Sequence, residues 1–330
     1  MSALDVQSGS AKSAICTLFE GDYHYGVGAL ANSLYAHGFR GTIYAGYRGP
    51  LPPWIGKNGK LKTRKQKAES EGYMEFSPAE GLTLRFISLT TKTHFTNYKP
   101  DFMLHVWEKY CPEATALFYF DPDITIKCRW AFFEEWVEAG VGLCADVNPS
   151  MPANHPIRHA WKQFCISHGI LLRREIDIYF NGGFVSVSRD DQNFLIRWKK
   201  IIEFIGEAVG GLEKMIVAGR SSLFYIPDQD ALNIAAMTCE SQISPIGQDG
   251  MDFQHGGGGY VMSHAIGSSK PWNKAFVRSV FRRAASPSCA DKMYFKNVEC
   301  PIRLYSPALL TFKRCGVSAA SFLGRFMRNT

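Results

Sequence analysis

The chain has 330 residues, of which 46% are hydrophobic and 20% are charged. These values are typical of a folded globular protein and exclude a disordered or fibrous one. The formal net charge is +7, and the excess cations lie in residues 57–67 and in the last quarter of the chain. This distribution indicates either a phosphate-bearing partner or a solvated basic face.

The nine cysteines are scattered along the chain, and none has the spacing Cys-x-x-Cys. This pattern argues against a disulfide framework and against a zinc site. The first twelve residues are polar and small, and no run of 18 apolar residues occurs. We therefore expect a cytoplasmic protein that does not span a membrane.

Short apolar runs and amphipathic segments alternate from the start of the chain. Residues 14–19 and 42–47 have the composition of buried strands, and residues 26–37 between them have helical periodicity. This opening is typical of nucleotide-binding α/β sheets, in which the ligand lies at the carboxyl end of the first strand. The polar, lysine-rich residues 50–80 are predicted to be an insertion or a mobile loop, followed by a strand at residues 84–89.

The same alternation continues to about residue 240. Strands are predicted at residues 116–120, 141–145 and 178–187, and helices at residues 101–110, 131–139, 191–209 and 229–237. Alternating strands and helices predict an α/β fold with a mixed, mostly parallel sheet flanked by helices.

Asp121 and Asp123 directly follow the apolar strand 116–120 and are separated by one proline. Two carboxylates at a strand end, where the backbone turns, can face one divalent cation. Hard cations such as Mg²⁺ and Mn²⁺ prefer oxygen ligands together with substrate phosphates. Because aspartate is also common in turns, the pair alone is weak evidence for a metal.

A second segment, residues 263–272, has the sequence SHAIGSSKPW. His264 offers an imidazole for a metal, Gly267 allows the backbone to approach a phosphate, and Lys270 can neutralise that phosphate. The segment therefore predicts binding of a metal-diphosphate group, whereas His264 taken alone is more often an ordinary surface or core histidine.

Six motifs, in chain order, carry a family resemblance. They are CTLFEGDYHYGVGAL, NYKPDFMLHVW, FDPD, YFNGGFVSV, PDQDALN and HAIGSSKPW, and they extend from Cys16 to Trp272. In these motifs the chain resembles glycosyltransferase family 8, which includes glycogenin and bacterial lipopolysaccharide galactosyl- and glucosyltransferases. The resemblance implies a GT-A fold, a Rossmann-like nucleotide-diphospho-sugar transferase architecture, over residues 1–275.

The resemblance also implies how a donor would bind. Thr17, Leu18 and Tyr25 would hold the nucleobase, and the Tyr25 ring would offer a face for stacking. The alternative for Tyr25 is packing in the core. Lys99 would contact the phosphate or the sugar of the donor.

The sugar itself would be held by a second group of residues. In the resemblance, Asn181, Gly182, Asp228 and Gln229 occupy positions that hydrogen-bond the sugar hydroxyls and border the reaction centre. Asp228 and Gln229 are therefore the candidate catalytic residues. A Pro-Asp sequence before an apolar helix is also a good helix start, so both roles are compatible.

The implied cofactor is Mn²⁺ or Mg²⁺, with Asp121, Asp123 and His264 as ligands, and Gly267 and Lys270 would cradle the diphosphate. The implied reaction moves a hexose from a UDP-sugar to a glycan, a glycolipid or another acceptor, with retention of anomeric configuration. No dedicated nucleophile is expected, and the leaving phosphate would help to deprotonate the acceptor.

The resemblance fades after Trp272, and residues 276–330 are predicted to be a basic helical extension. Apolar and basic residues alternate there at near-helical spacing. Such helices either lie on an anionic membrane surface or pack on the catalytic domain with basic outer faces. The first possibility would place the protein on the inner face of a membrane, near a lipid-linked acceptor.

Three other functions compete with this interpretation. Nucleic-acid binding is disfavoured because the aromatic residues lie mainly inside apolar segments and not along a basic stripe. A catalytically silent nucleotide-sugar-binding relative would retain the same residues. A nucleotidylyltransferase on a related sheet would carry a Gly-rich, basic loop after the first strand, and FEGDYHYG lacks one.

Overall fold

The structure, a computed structural model, describes residues 13–58, 62–64, 72–148, 151–217, 219, 222–253, 258–283 and 285–327. The strands in these ranges are β1 (Ser13–Glu20), β2 (Gly41–Arg48), β3 (Lys62–Arg64), β4 (Tyr73–Ala79), β5 (Leu82–Ser88), β6 (Ala116–Phe120), β7 (Ile124–Ile126), β8 (Val141–Ala145), β9 (Phe180–Ser188), β10 (Ile243–Ile246), β11 (Met251–Asp252) and β12 (Met262–His264). The helices are α1 (His24–Ala36), α2 (Ile55–Asn58), α3 (Lys99–Lys109), α4 (Trp130–Glu138), α5 (Pro156–Ser167), α6 (Gln192–Val209), α7 (Pro227–Thr238), α8 (Phe276–Arg283), α9 (Cys289–Lys296) and α10 (Pro307–Met327).

The larger sheet has the strand order β10-β8-β9-β6-β1-β2-β5-β4-β3. Within the described part of the chain, seven of its strands point in one direction, and β4 and β9 point in the other. The predicted α/β class with a mixed, mostly parallel sheet is therefore confirmed. A small second sheet, β11-β12-β7, lies beyond the end of β6.

Helices cover both faces of the large sheet because its central strands are buried on both sides. In β6, Phe118 and Phe120 pack with α1 and α4, whereas Leu117 and Tyr119 pack with α3, α5, α6 and α7. This alternation follows the two-residue period of a strand. Burial of each such side chain contributes roughly 1.5–3 kcal/mol.

Part of the polar segment at residues 50–80 belongs to the sheet. β4 pairs antiparallel with β5, and β3 pairs antiparallel with β4 at the edge. The chain turns between β4 and β5 at Gly81, which has a φ of 76°, a backbone conformation that glycine adopts readily. Tyr73 and Phe76 of β4 are buried in the core. These two apolar residues were not identified from the sequence as part of a strand, because the surrounding sequence is polar.

The C-terminal helices share a core with the first part of the chain. Phe295 and Tyr305 belong to the same buried cluster as α1 and β1. The amide of the fully buried Asn32 in α1 donates to the carbonyl oxygens of Asn297 and Ile302, both at 2.8 Å, and its oxygen accepts from the Ile302 amide at 2.8 Å. Residues 285–327 therefore help to complete the fold around α1.

Candidate active site

The acidic pair lies where the central strand β6 ends. The backbone amide of Asp121 donates to the carbonyl of Gly183 at 2.7 Å, and the amide of Ile124 donates to the carbonyl of Asp121 at 3.0 Å. The chain therefore turns at Pro122 and enters β7. Because β9 runs antiparallel to β6, the start of β9 lies beside the end of β6, which brings residues 181–183 next to Asp121.

His264 reaches this turn through the small sheet. β12 pairs antiparallel with β7 so that His264 lies opposite Ile124, and the amide of Ala265 donates to the carbonyl of Asp123 at 3.1 Å. The Nε2 atom of His264 lies 3.2 Å from Asp123 Oδ1 and 3.8 Å from Asp121 Oδ2. One ligand atom from each of Asp121, Asp123 and His264 lies within 4.8 Å of the other two.

These three side chains fit a divalent cation. Burial alone would raise the pKa of Asp123, but the ammonium of Lys270 and the imidazole of His264 outweigh burial and hold that pKa well below its usual range. Asp123 is therefore ionised at neutral pH. Two carboxylates and one imidazole are a donor set that suits Mn²⁺ or Mg²⁺ with substrate oxygens in the remaining positions.

Gly183 has a steric reason to be glycine. A Cβ atom at this position would lie 2.5 Å from Cε1 of His264 and 2.8 Å from the Asn181 side-chain oxygen. The imidazole can therefore approach β9 only because residue 183 lacks a side chain.

Lys270 lies on the other side of Asp123. Its ammonium contacts the Asp123 carboxylate and donates to the carbonyl of Ala265 at 2.8 Å. Burial alone would lower the pKa of Lys270, but Asp123, Tyr23 and Asp121 together raise it above its usual value, so the side chain stays protonated. Gly267 has a φ of 92°, a left-handed conformation that favours glycine.

Tyr23 is a residue of this region that sequence reasoning missed. The ammonium of Lys270 lies 5.5 Å from the centre of its ring, which packs edge-on against Trp272. Burial raises the pKa of Tyr23, and the carboxylates of Asp123 and Asp121 raise it further against the opposing effect of Lys270. The sequence FEGDYHYG contains two tyrosines, and no periodicity showed which one faces the acidic pair.

Tyr25 lines a cavity whose walls do not include Asp121, Asp123 or His264. Its ring stacks on Tyr305, with ring centres 5.3 Å apart and planes 12° apart. It lines a cavity of about 430 Å³ together with Trp54, Arg303 and Ser306. A cavity of this size falls in the range of small-molecule sites, roughly 300–1,000 Å³.

Thr17 and Leu18 both lie within β1, and their side chains are buried. Leu18 packs with the helices on one face of the sheet. The hydroxyl oxygen of Thr17 has no hydrogen-bond partner among the described residues. Contact of either side chain with a nucleobase stays a prediction.

Lys99 is buried between two carboxylates. Its ammonium donates to Asp228 Oδ2 at 2.9 Å and to the carbonyl of Gly182 at 2.8 Å, and it lies 3.2 Å from Asp121 Oδ1. Burial lowers the pKa of Lys99, but the two carboxylates raise it more strongly. Lys99 thus connects the acidic pair to the start of helix α7.

A network of amides and one carboxylate forms the wall beside Gly182. The Gln229 oxygen accepts from the Gly182 amide at 2.9 Å, and the Gln229 nitrogen donates to Asp146 Oδ2 at 3.3 Å. The Asn181 nitrogen donates to the same Asp146 oxygen at 2.7 Å. These contacts hold the orientations of both amide side chains.

Asp146 was missed by sequence reasoning, although a signal for it existed. It directly follows the buried strand β8, just as Asp121 directly follows β6. The carboxyl ends of parallel strands meet at one edge of a sheet. The same reasoning that identified Asp121 would therefore have identified Asp146.

Asp228 has an acceptor atom that its neighbours leave unused. Its Oδ1 atom is buried and has no hydrogen-bond partner among the described residues, whereas its Oδ2 atom accepts from Lys99. Burial raises the pKa of Asp228 above its usual value despite the opposing effect of Lys99. A buried acceptor without a partner is costly, so Oδ1 is well suited to accept a ligand hydroxyl.

No protein-family model and no curated protein matches the chain. Among solved structures, the chain is similar to the apo structure of the bifunctional glycosyltransferase WbbM, with a TM-score of 0.54 and 12% sequence identity over 92% of this chain. The chain spans about half of that protein, 52% of its length. The likeness shows that this chain shares its fold with a solved glycosyltransferase.

The site has two chemically distinct sides. Asp121, Asp123 and His264 with Lys270 can hold a metal and an anionic group, whereas Asn181, Gln229 and Asp228 present hydrogen-bonding groups. Lys99 lies between the two sides. The arrangement can thus bind a ligand that carries an anionic group at one end and hydroxyl groups at the other.

Proposed function

We propose that the protein is a metal-dependent, retaining glycosyltransferase of the family 8 type that moves a hexose from a UDP-sugar to a glycan, a glycolipid or another acceptor. One observation carries the proposal. Asp121, Asp123 and His264 converge beside a buried wall of amides and carboxylates, at the carboxyl edge of the sheet. A diphosphate and a sugar joined in one molecule match these two sides.

The anionic end of the donor belongs on the metal side. Asp121, Asp123 and His264 would hold Mn²⁺ or Mg²⁺, which when bound supplies positive charge to the oxygens of the diphosphate. Lys270 adds a mostly buried ammonium. Gly267, which has a left-handed backbone conformation and no side chain, leaves room for a phosphate to approach the backbone. Buried cations stabilise a leaving phosphate more strongly than solvated ones do.

The nucleobase belongs at the end of β1 under this proposal. Thr17 and Leu18 lie in that strand, and the ring of Tyr25 lines the adjacent cavity with Trp54. Aromatic walls suit a base because each base has a π face. The preference for uridine follows from the resemblance to family 8.

The sugar would lie against Asn181, Gly182, Asp228 and Gln229. The free Oδ1 atom of Asp228 can accept from a sugar hydroxyl, and Lys99 holds the other oxygen of this carboxylate in place. The oxygen and the nitrogen of the Gln229 amide both form hydrogen bonds, so the orientation of this side chain beside the reaction centre is fixed. The leaving phosphate takes the proton of the acceptor hydroxyl on the same face, so neither Asp228 nor Gln229 need act as a covalent nucleophile.

The test is thermal-shift titration with UDP, UDP-glucose, UDP-galactose and GDP-mannose, each with and without Mn²⁺. A ligand that binds only the folded state raises the melting temperature. We expect a metal-dependent rise for the uridine ligands with the wild type and none with Asp123→Asn. Asp190→Asn, which removes an exposed carboxylate outside the site, should respond as the wild type does.

The same proteins separate the competing functions. The proposed enzyme releases UDP from its donor with an acceptor present, and Asp123→Asn should slow this release by a factor of roughly 10³ or more. Metal-dependent donor binding without release would identify a silent relative. Release of pyrophosphate from UTP and a sugar phosphate would identify a nucleotidylyltransferase, and no response to any nucleotide would refute the proposal.

A further inference from the structure

Helix α10 carries a second apolar stripe that faces away from the protein. Its members recur at intervals of three and four residues, which places them on one side of a helix. They are Phe312, Cys315, Ala319, Phe322 and Phe326, and all five are exposed. The three phenylalanines are 76%, 59% and 64% exposed, in this order.

The fold does not need this stripe. Leu310, Val317 and Ala320 lie roughly on the opposite side of α10, and they are the residues that pack into the core. A helix with apolar residues on two opposite sides can pack against an apolar partner on each side. One of those partners is the protein itself.

The neighbouring helix α8, which contacts α10, has the same division. Phe276 and Val280 are buried, whereas Val277 and Phe281 are exposed, and Phe281 is 63% exposed. Exposed large apolar side chains on two packed helices form a surface of the kind that marks an interaction site.

The segments that contain these helices are rich in cations, and the two acidic residues that flank them, Asp291 and Glu299, pair with Lys274 and Arg314. No Asp or Glu occurs between Glu299 and the last residue, and none occurs from His264 to Ala290. Besides Lys270, which lies at the candidate active site, the two stretches contain the cations Lys274, Arg278, Arg282, Arg283, Arg303, Lys313, Arg314, Arg325 and Arg328. A partner that complements this surface is therefore both apolar and anionic.

We propose that α8 and α10 dock on the surface of an anionic lipid bilayer, with the phenylalanines in the boundary between headgroups and acyl chains. Aromatic residues bind at this depth while lysine and arginine pair with the headgroups. A second copy of this chain fits poorly, because a symmetric contact would bring cations against cations. In the described part of the chain, no helix is long and apolar enough to cross a bilayer.

The inference stands on the surface of α8 and α10 and does not depend on sugar transfer. It is tested with point variants and not by truncation, because Phe295 and Tyr305 of the same region belong to the core. The variant is the triple substitution Phe312→Ser, Phe322→Ser and Phe326→Ser. The matched control is Ile166→Ser with Leu171→Ser, which removes two residues of similar exposure, 61% and 62%, elsewhere.

The experiment is flotation of the full chain with vesicles of phosphatidylglycerol and phosphatidylcholine, and with vesicles of phosphatidylcholine alone. We expect the wild type and the control to float with the anionic vesicles, and the triple variant to bind at least ten-fold more weakly. Binding should also weaken in 0.5 M NaCl, because salt screens the attraction to the headgroups. Unchanged melting temperatures show that the variants are folded.

The proposal is overturned if the wild type fails to float with anionic vesicles or if the triple variant floats as well as the control. Equal binding of the wild type to neutral vesicles would also overturn it, because the cations would then have no role. If the wild type does not float but sediments as a dimer that the triple variant cannot form, the surface is an interface between copies of the chain.

Discussion

The candidate active site and the C-terminal helices depart from ordinary burial in opposite ways. At the site, charged side chains are buried: Lys99 is 2% exposed and Asp228 is 2% exposed. On α10, large apolar side chains are exposed, and Phe312 is 76% exposed. The C-terminal helices belong to the core cluster on the α1 face of the large sheet, which also contains Phe120 and Ile124 on either side of the acidic pair.

The two departures differ in how they are compensated. At the site the buried charges have polar partners: Lys99 pairs with Asp121 and Asp228, and Asp146 accepts hydrogen bonds from Asn181 and Gln229. On α10 nothing in the described protein covers the exposed phenylalanines. Buried polar groups and exposed apolar patches are the informative exceptions to burial. The first indicates a site completed by a ligand, and the second indicates a surface completed by a partner.

The largest expected effect on stability comes from Lys99→Met. It removes the ammonium between Asp121 and Asp228 and leaves two carboxylates without their buried partner. We expect the free energy of unfolding in urea to fall by about 3–5 kcal/mol. Combination with Asp228→Asn should restore part of this loss.

The control for this prediction is Lys199→Met. Lys199 pairs with Asp101 at 2.7 Å but is 38% exposed. Exposed pairs contribute only about 0–1 kcal/mol. If the two methionine variants were equally stable, burial of the pair at the site would have no energetic consequence.

Asp230 predicts a dependence of stability on pH. Burial raises its pKa from 3.8 to about 6, although Tyr179 and the backbone amides of Tyr225 and Ile226 donate hydrogen bonds that lower it. Between pH 4 and pH 6 the folded protein keeps a proton that the unfolded chain releases, so stability falls as pH rises. Two pKa units correspond to about 3 kcal/mol.

Asp230→Asn isolates this contribution because asparagine does not titrate. The stability of the wild type minus that of the variant should decrease from pH 4 to pH 7 by up to about 3 kcal/mol. Thermal or urea unfolding at four or five pH values measures the difference. A constant difference over this range would mean that Asp230 is not desolvated in the folded protein.

Asn32→Ala tests the contact that joins helix α1 to the C-terminal segment. It removes three buried hydrogen bonds to residues 297 and 302 and leaves their backbone groups unpaired. We expect a loss of about 2–3 kcal/mol in unfolding free energy. Asn193→Ala, at an exposed position of α6, should change it by less than about 0.5 kcal/mol. A similar result for both would show that the C-terminal helices do not depend on Asn32.

The smallest expected effect on stability comes from Phe322→Ser. Phe322 is 59% exposed, so its loss should change the free energy of unfolding by less than about 0.5 kcal/mol. Phe295→Ala, at a buried position of α9, should cost about 3–5 kcal/mol. A large cost for Phe322→Ser would mean that the exposed stripe of α10 serves the fold.

The sequence predicted the parts of the site that carry a local signal. Asp121 and Asp123 were identifiable because they follow an apolar strand, and His264 and Lys270 because they share one short segment. The small sheet formed by β7, β11 and β12 was not predicted, because strands of two or three residues show no periodicity. That sheet is what brings His264 to Asp123.

The remaining differences have the same origin. The contacts of Asp146 and Tyr23 at the site are with residues that are distant in sequence. Asp146 accepts hydrogen bonds from Asn181 and Gln229, and the ring of Tyr23 lies next to the ammonium of Lys270. The C-terminal helices showed their amphipathic pattern, but the pattern did not show that α10 has apolar residues on two sides with only one side packed.

The sequence by itself determined the α/β class, the main strands and helices, and the candidate metal ligands, because strand and helix periodicity and strand-end placement are local properties of the chain. Only the tertiary structure decided which residues meet. The pairing of β6 with β9 and of β7 with β12 sets the distances among Asp121, Asp123, His264 and Gly183. Such contacts depend on strand order and register, and a single sequence does not encode these in any short segment.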